Sequence, residues 1–142
     1  MATKGEIYQM NISKPHEKEK LIFNMGSEIL DPSLSFDNEK LYFLSFEPLP
    51  NDPIRRERIW YSKRENGSWC EPEVINKTVY SHPTHWQFTL TKNDDLYFTS
   101  EINGDENQDI YLSRYINHNY EDPVRLPDNI NTVDKELCPY ID

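Results

Sequence analysis

The sequence predicts an all-β fold made of repeated small antiparallel sheets, on three observations. Leu41-Tyr42-Phe43-Leu44-Ser45 returns as Leu96-Tyr97-Phe98-Thr99-Ser100, 55 residues later. Ile59-Trp60-Tyr61-Ser62 returns as Ile110-Tyr111-Leu112-Ser113, 51 residues later, and Ile7-Tyr8-Gln9-Met10 precedes the first of these by 52. Apolar residues at helical spacing are lacking, and ten prolines are scattered along the chain. A period near 50 residues composed of short strands implies one sheet per repeat, each stacked on its neighbours.

Each unit is read in order. Ser33-Leu34-Ser35-Phe36 and Gln87-Phe88-Thr89-Leu90 are first strands. Asp37-Asn38-Glu39-Lys40 and Lys92-Asn93-Asp94-Asp95 follow as turns, because Asn and Asp tolerate the backbone a tight hairpin needs. The aromatic-rich blocks Leu41–Ser45 and Leu96–Ser100 are second strands. After a long loop, Ile59-Trp60-Tyr61 and Ile110-Tyr111-Leu112 form third strands, in which Trp60 faces opposite to Ile59 and Tyr61. Turns at Glu65-Asn66-Gly67 and Asn117-His118-Asn119 lead to fourth strands carrying Val74-Ile75 and Val124-Arg125-Leu126. Glu71-Pro72 and Asp122-Pro123 precede them, and proline suits a strand start or an outer edge. The charged stretch Lys14–Lys20 has no apolar stripe and reads as a loop between strands. A four-stranded meander repeated in this way is a propeller blade. The expected fold is therefore a partial β-propeller of four-stranded antiparallel blades. Residues 1–29 hold the outer strands of one blade and a linker. Residues 30–80 and 81–131 are complete blades, and 132–142 begin the next, since Leu137–Ile141 echoes Leu30–Leu34.

The balance of 25 acidic against 15 basic residues gives a net charge of −10. It argues against a nucleic-acid backbone or an anionic membrane as the main partner, because both require a positive surface. No apolar run reaches membrane-helix length. Residues Met1–Glu6 lack the basic-then-apolar pattern of a signal peptide. Cys70 and Cys138 form no C-x-x-C pair and occupy unequal repeat positions, which speaks against zinc and against a disulfide framework. The basic cluster Arg55-Arg56-Glu57-Arg58 lacks a Gly-rich setting and is expected as a solvated loop.

Pro32-Ser33-Leu34-Ser35, the Leu41–Ser45 block, Arg58-Ile59-Trp60 and Gly67-Ser68-Trp69-Cys70-Glu71-Pro72 together resemble the WD40-like PD40 repeat of TolB-type six-bladed propellers. Leu96–Ser100, Asp109-Ile110-Tyr111 and Glu121-Asp122-Pro123 repeat the pattern, and Ile130-Asn131-Thr132 with Glu136 resembles the family's inter-blade linker. Arg58 departs from the Asp usual before Ile-Tyr, and Trp86-Gln87-Phe88-Thr89 replaces Pro-Ser-Leu-Ser. The resemblance implies a binding platform, or a propeller fused to a hydrolase or lyase, often periplasmic or secreted. A six-bladed ring needs about 300 residues at roughly 50 per blade. This arc is therefore expected to belong to a longer propeller or to close by self-association.

His82, His85 and Trp86, in His82-Pro83-Thr84-His85-Trp86, form the most site-like cluster, with two imidazoles beside an aromatic ring. His-x-x-His here lacks the Glu of a helical zinc motif, so packing is the competing reading. Asn103-Gly104-Asp105-Glu106-Asn107-Gln108-Asp109 carries oxygen ligands but departs from the EF-hand order. No nucleophile elbow and no phosphate loop is present, so no catalytic residue, metal or cofactor is assigned. The recurring aromatics Tyr42, Phe43, Trp60, Tyr97, Phe98 and Tyr111 are placed between sheets. The expected role is a non-catalytic recognition module for a protein, peptide or carbohydrate. A hydrolase or lyase part, and a truncated gene product without a role of its own, stand as alternatives.

Overall fold

A computed structural model describes residues 6–101 and 107–141, with His85 and Trp86 described by backbone alone. Residues 1–5 and Asn103 to Glu106 of the acidic loop lie outside the described residues. The chain is an all-β partial propeller of antiparallel blades. β1 (Ile7–Met10) and β2 (Lys18–Leu21) form a hairpin. The next sheet contains β3 (Ile29–Leu34), β4 (Lys40–Ser45), β5 (Arg58–Glu65), β6 (Ser68–Trp69) and β7 (Glu73–Val74). A single helical turn, α1 (Lys77–Tyr80), leads to β8 (Thr84–Leu90), β9 (Leu96–Ser100) and β10 (Asp109–Ser113). β11 (Tyr115–Ile116) and β12 (Asn119–Tyr120) make a hairpin tip, and β13 (Val124–Arg125) closes the sheet against β10. No helix among the described residues is long and apolar enough to cross a membrane.

The two full sheets share one register. Trp60 stands opposite Val74 as Tyr111 stands opposite Arg125, each pair shifted by the same 51 residues. The turns behave as their chemistry requires: Asn38, Asn66, Asp94, Asn117 and His118 all adopt positive φ, and Gly67 follows at φ 81°. The fourth strand is broken in both units, into β6 and β7 and into β12 and β13. Pro72 and Pro123 lie in the two gaps, where a residue without an N–H cannot continue a ladder. A buried serine hydroxyl serves the carbonyl left over: Ser62 donates to Cys70 O at 2.5 Å and Ser113 donates to Glu121 O at 2.6 Å. The serine ending each aromatic block does the same for the first strand. Ser45 donates to Glu28 O at 2.7 Å and Ser100 to Pro83 O at 2.6 Å. The repeated Ser is thus a backbone clamp at four buried positions.

Alternation along β4 and β5 divides the core into two layers. Leu41, Phe43 and Trp60 pack with Ile7, Leu21, Phe23 and Trp69 between the first hairpin and the second sheet. Tyr42, Leu44 and Ile59 pack with Phe88, Leu96, Phe98, Tyr111 and Tyr120 between the second sheet and the third. Phe43 and Phe98 each face the preceding sheet, as one repeating unit stacked on another demands.

Three expectations are corrected. β3 and β8 begin earlier than expected, and Ser33 and Leu34 match Thr89 and Leu90 in register, so Pro32–Ser35 aligns with Phe88–Thr91 and not with Trp86–Thr89. A register shift in each strand absorbs the difference. Lys18 to Lys20 belong to β2 and not to a loop; cross-strand contacts such as Gln9 to Glu19 suffice on an exposed edge. Arg58 is fully buried at the start of β5 and not solvated, because Asp52 neutralises it at 2.7 Å. Residues 132–141 carry no strand among the described residues. Both cysteines are free thiols.

A polar seam crosses the second core layer. Tyr120 donates to the Tyr42 hydroxyl at 3.1 Å, and Lys40 pairs with Asp94 across the two sheets at 2.5 Å while lying over the Tyr115 ring. Burial pushes the Tyr42 phenol up to about 12 and the Tyr120 phenol higher still. Burial alone would lower the Lys40 ammonium, but the Asp94 hydrogen bond and the neighbouring phenols outweigh it, so it too is raised. For all three groups the unfolded chain loses its proton first, so stability falls as pH rises above about 10. Thermal melting followed by circular dichroism should be level to pH 9 and decline between pH 10 and 12, with tyrosinate absorbance rising alongside. Tyr42→Phe should make that decline shallower; an unchanged melting temperature up to pH 12 would contradict the seam.

Candidate functional site

The β4–β5 connection and α1 build one loop surface. The connection folds on itself: Leu49 and Asp52 exchange backbone hydrogen bonds at 3.1 and 3.0 Å around Pro50-Asn51. The Asp52 carboxylate then accepts from Arg58 and lies 3.6 Å from Arg56. These guanidiniums hold its carboxyl below the usual range against the opposing effect of desolvation. Arg58 also reaches the carbonyls of Glu47 and Ile54 at 3.4 Å, so one buried cation ties the loop to its strand. Asp109 holds the equivalent position in the third sheet with the charge reversed, and pairs bidentately with Arg125 at 2.6 and 3.2 Å.

α1 is set by Asn76 at its N-cap. The Asn76 side chain accepts from Val79 N at 3.4 Å and donates to Asn119 Oδ1 and Tyr120 O at 2.6 and 2.7 Å. It therefore ties the linker to the next sheet's hairpin, while Val79 plugs the core between them. Lys77, Tyr80 and Ser81 are left on the open side. They face Leu49, Pro50, Asp52 and Arg56 across a groove of about 630 Å³, with Val74 contributing to its wall. That volume lies within the range of small-ligand clefts. The Lys77 ammonium has no ion-pair partner among the described residues, and the Arg56 Nε is buried without an acceptor. The groove is thus partly apolar, with Asp52 already engaged and cationic donors in excess.

His82 lies just beyond α1. Its Nδ1 is 2.9 Å from Thr78 O and 3.3 Å from the Ser81 hydroxyl, and its ring is 6.2 Å from that of Tyr111. These contacts give it a role at the end of the turn. His85 and Trp86 lie on β8, and their side chains are outside the description. Among the described residues no cluster of three His, Cys, Asp or Glu side chains is placed to hold a metal ion. The groove residues Arg56, Lys77 and Tyr80 were not among the sequence candidates. The readable signal was Asp52 four residues before Arg56 and six before Arg58, which lets one carboxylate fold a loop around two guanidiniums. Comparison with family models, curated proteins and solved structures finds no match to this chain.

Proposed function

We propose that the chain is a non-catalytic recognition module of the TolB-like, PD40-repeat type, and that its groove between the β4–β5 connection and α1 holds a peptide or protein segment through a carboxylate. One observation carries the reading: Arg56 and Lys77, the latter without an ion-pair partner among the described residues, flank an apolar wall formed by Leu49, Pro50, Val74 and Tyr80. A peptide lays side chains on such a wall while its carboxylate takes the two cations. The loop is held from below by Arg58, so Arg56 is positioned before a ligand arrives, which lowers the ordering cost of binding.

Peptide and glycan arrays, run beside a general hydrolase screen, test this. Carboxylate-bearing peptides should bind, and Arg56→Ala with Lys77→Ala should weaken them about tenfold or more, as loss of charge-assisted hydrogen bonds implies. Binding confined to glycans and unaffected by both substitutions would refute the assignment. Turnover of a substrate would favour the hydrolase or lyase reading.

A further inference from the structure

We infer that Asn76 is a positioning residue for the groove, and that through it the third unit sets the α1 wall without contributing a lining residue. For its effect on binding, the inference rests on the groove being the ligand site. The two walls are held in different ways. The wall that carries Arg56 is fixed within the second unit, by the ion pairs of Asp52 with Arg56 and Arg58. Lys77 and Tyr80 stand on α1, in the linker between two sheets.

The next linker shows what α1 lacks. At a shift of 51 residues the two turns coincide. Val79 N and Tyr80 N donate to Asn76 O, both at 3.1 Å, as Ile130 N and Asn131 N donate to Pro127 O at 2.8 and 3.0 Å. Ile75 N donates to Ile59 O at 3.0 Å, as Leu126 N donates to Ile110 O at 3.0 Å. The side chains differ at two places. Asn131 reaches back to Ile110 and Leu126 and binds its linker to its own sheet. The second unit has Tyr80 at that position, half-buried and lining the groove, and Tyr80 brings no amide to Ile59 or Ile75. Where the later linker has Pro127, which carries no side-chain donor, the second unit has Asn76. The tie has changed sides, from a linker's own sheet to the unit that follows it.

Asn76 makes that tie with a single amide. Its Oδ1 caps the turn by accepting from Val79 N at 3.4 Å. Its Nδ2 donates to Asn119 Oδ1 at 2.6 Å and to Tyr120 O at 2.7 Å. The Tyr120 acceptor is itself fixed: the residue is buried, its ring lies 4.9 Å from that of Tyr115, and its hydroxyl bonds Tyr42. A four-residue helical turn is not stable alone, so contacts outside it decide where its side chains stand. Val79 supplies packing, and Asn76 supplies the directed bonds that place Lys77 and Tyr80 opposite Arg56. A ligand that bridges Arg56 and Lys77 binds in proportion to the fraction of molecules in which this wall is in place.

Asn76→Ser separates the two roles, because a serine hydroxyl caps the turn but is too short to reach Asn119 and Tyr120. Spin labels on Asn51→Cys and Ser81→Cys, in a Cys70→Ser and Cys138→Ser background, report the width of the groove in the free protein. The distance distribution should be narrow in that background and broad with Asn76→Ser. Asn119→Ala, which leaves the Tyr120 acceptor, should broaden it less. At a temperature where every variant is folded, the tightest carboxylate-bearing peptide of the array should bind Asn76→Ser about five- to tenfold more weakly, the loss that follows when the wall is in place in roughly a tenth to a fifth of molecules. Peptide affinity unchanged by Asn76→Ser would overturn the inference and leave the carboxylate groove standing. Unchanged label distances would overturn it as well. Failure of the wild type to bind any such peptide, with distances still broadened by Asn76→Ser, would remove the carboxylate reading and keep Asn76 as the residue that positions α1.

Discussion

Trp60→Ala is expected to destabilise the chain by about 3–5 kcal/mol, the range for truncating a buried aromatic ring. Trp60 is 8% exposed and sits opposite Phe43 on β4 and Val74 on β7. It packs in the layer with Ile7, Leu21 and Trp69, where Phe23 also stacks on Phe43 at a centroid distance of 5.7 Å. Its indole N–H has no hydrogen-bond partner among the described residues, so the contribution is packing and not polar pairing. Removing the ring leaves a void between the first hairpin and the second sheet. Because β1 and β2 pair only with each other among the described strands, their ladder does little to hold the hairpin against the second sheet. Urea unfolding followed by far-ultraviolet dichroism should show a lower midpoint for Trp60→Ala and a smaller loss for Trp60→Phe. A near-neutral Trp60→Ala would mean that the hairpin does not dock there.

Asn131→Ala should cost about 1–3 kcal/mol, because Ile110 N loses its acceptor in the buried interior, while Ile110 O keeps Leu126 N and Leu126 O keeps Arg125. Asn131 is fully buried, and its amide acts as a strand would. It accepts from Ile110 N at 2.8 Å and donates to Ile110 O and Leu126 O at 3.0 and 2.9 Å. The set requires an acceptor and two donors on one planar group, which a side-chain amide supplies. Asn131→Asp separates this role from simple volume. A carboxylate keeps the size but cannot donate, so it faces two carbonyl oxygens and should be at least as damaging as Ala near neutral pH. It should recover partly in acid, where the protonated carboxyl regains a donor. Equilibrium unfolding at two pH values measures this; an Asp variant as stable as the wild type would remove the clamp from the fold.

Much of the architecture was legible because two periods coincide. The 51-residue spacing identifies the unit, and the two-residue alternation within it tells which side chains face which neighbour, as for Ile59 against Trp60. Turn chemistry was equally readable, since Asn38, Asn66, Asp94 and Asn117 all stand where positive φ is required. The first strands were misplaced by a few residues because register shifts in β3 and β8 break the alternation that locates a strand. Arg58 was misjudged because charge is visible in a sequence and the neutralising contact with Asp52 is not. Arg56 and Lys77 meet across the groove from a loop and a linker 21 residues apart, and no local pattern connects them.

The sequence alone determined that the chain forms stacked antiparallel sheets, since strand, turn and facing direction depend on neighbours a few residues away. The tertiary structure alone decided which polar groups are used. It chose Ser45, Ser62, Ser100 and Ser113 as backbone clamps, Asn131 as a surrogate strand and Lys77 as a cation on the groove wall. Each of those roles depends on an atom in another strand or linker, and such distances arise only when the sheets are stacked.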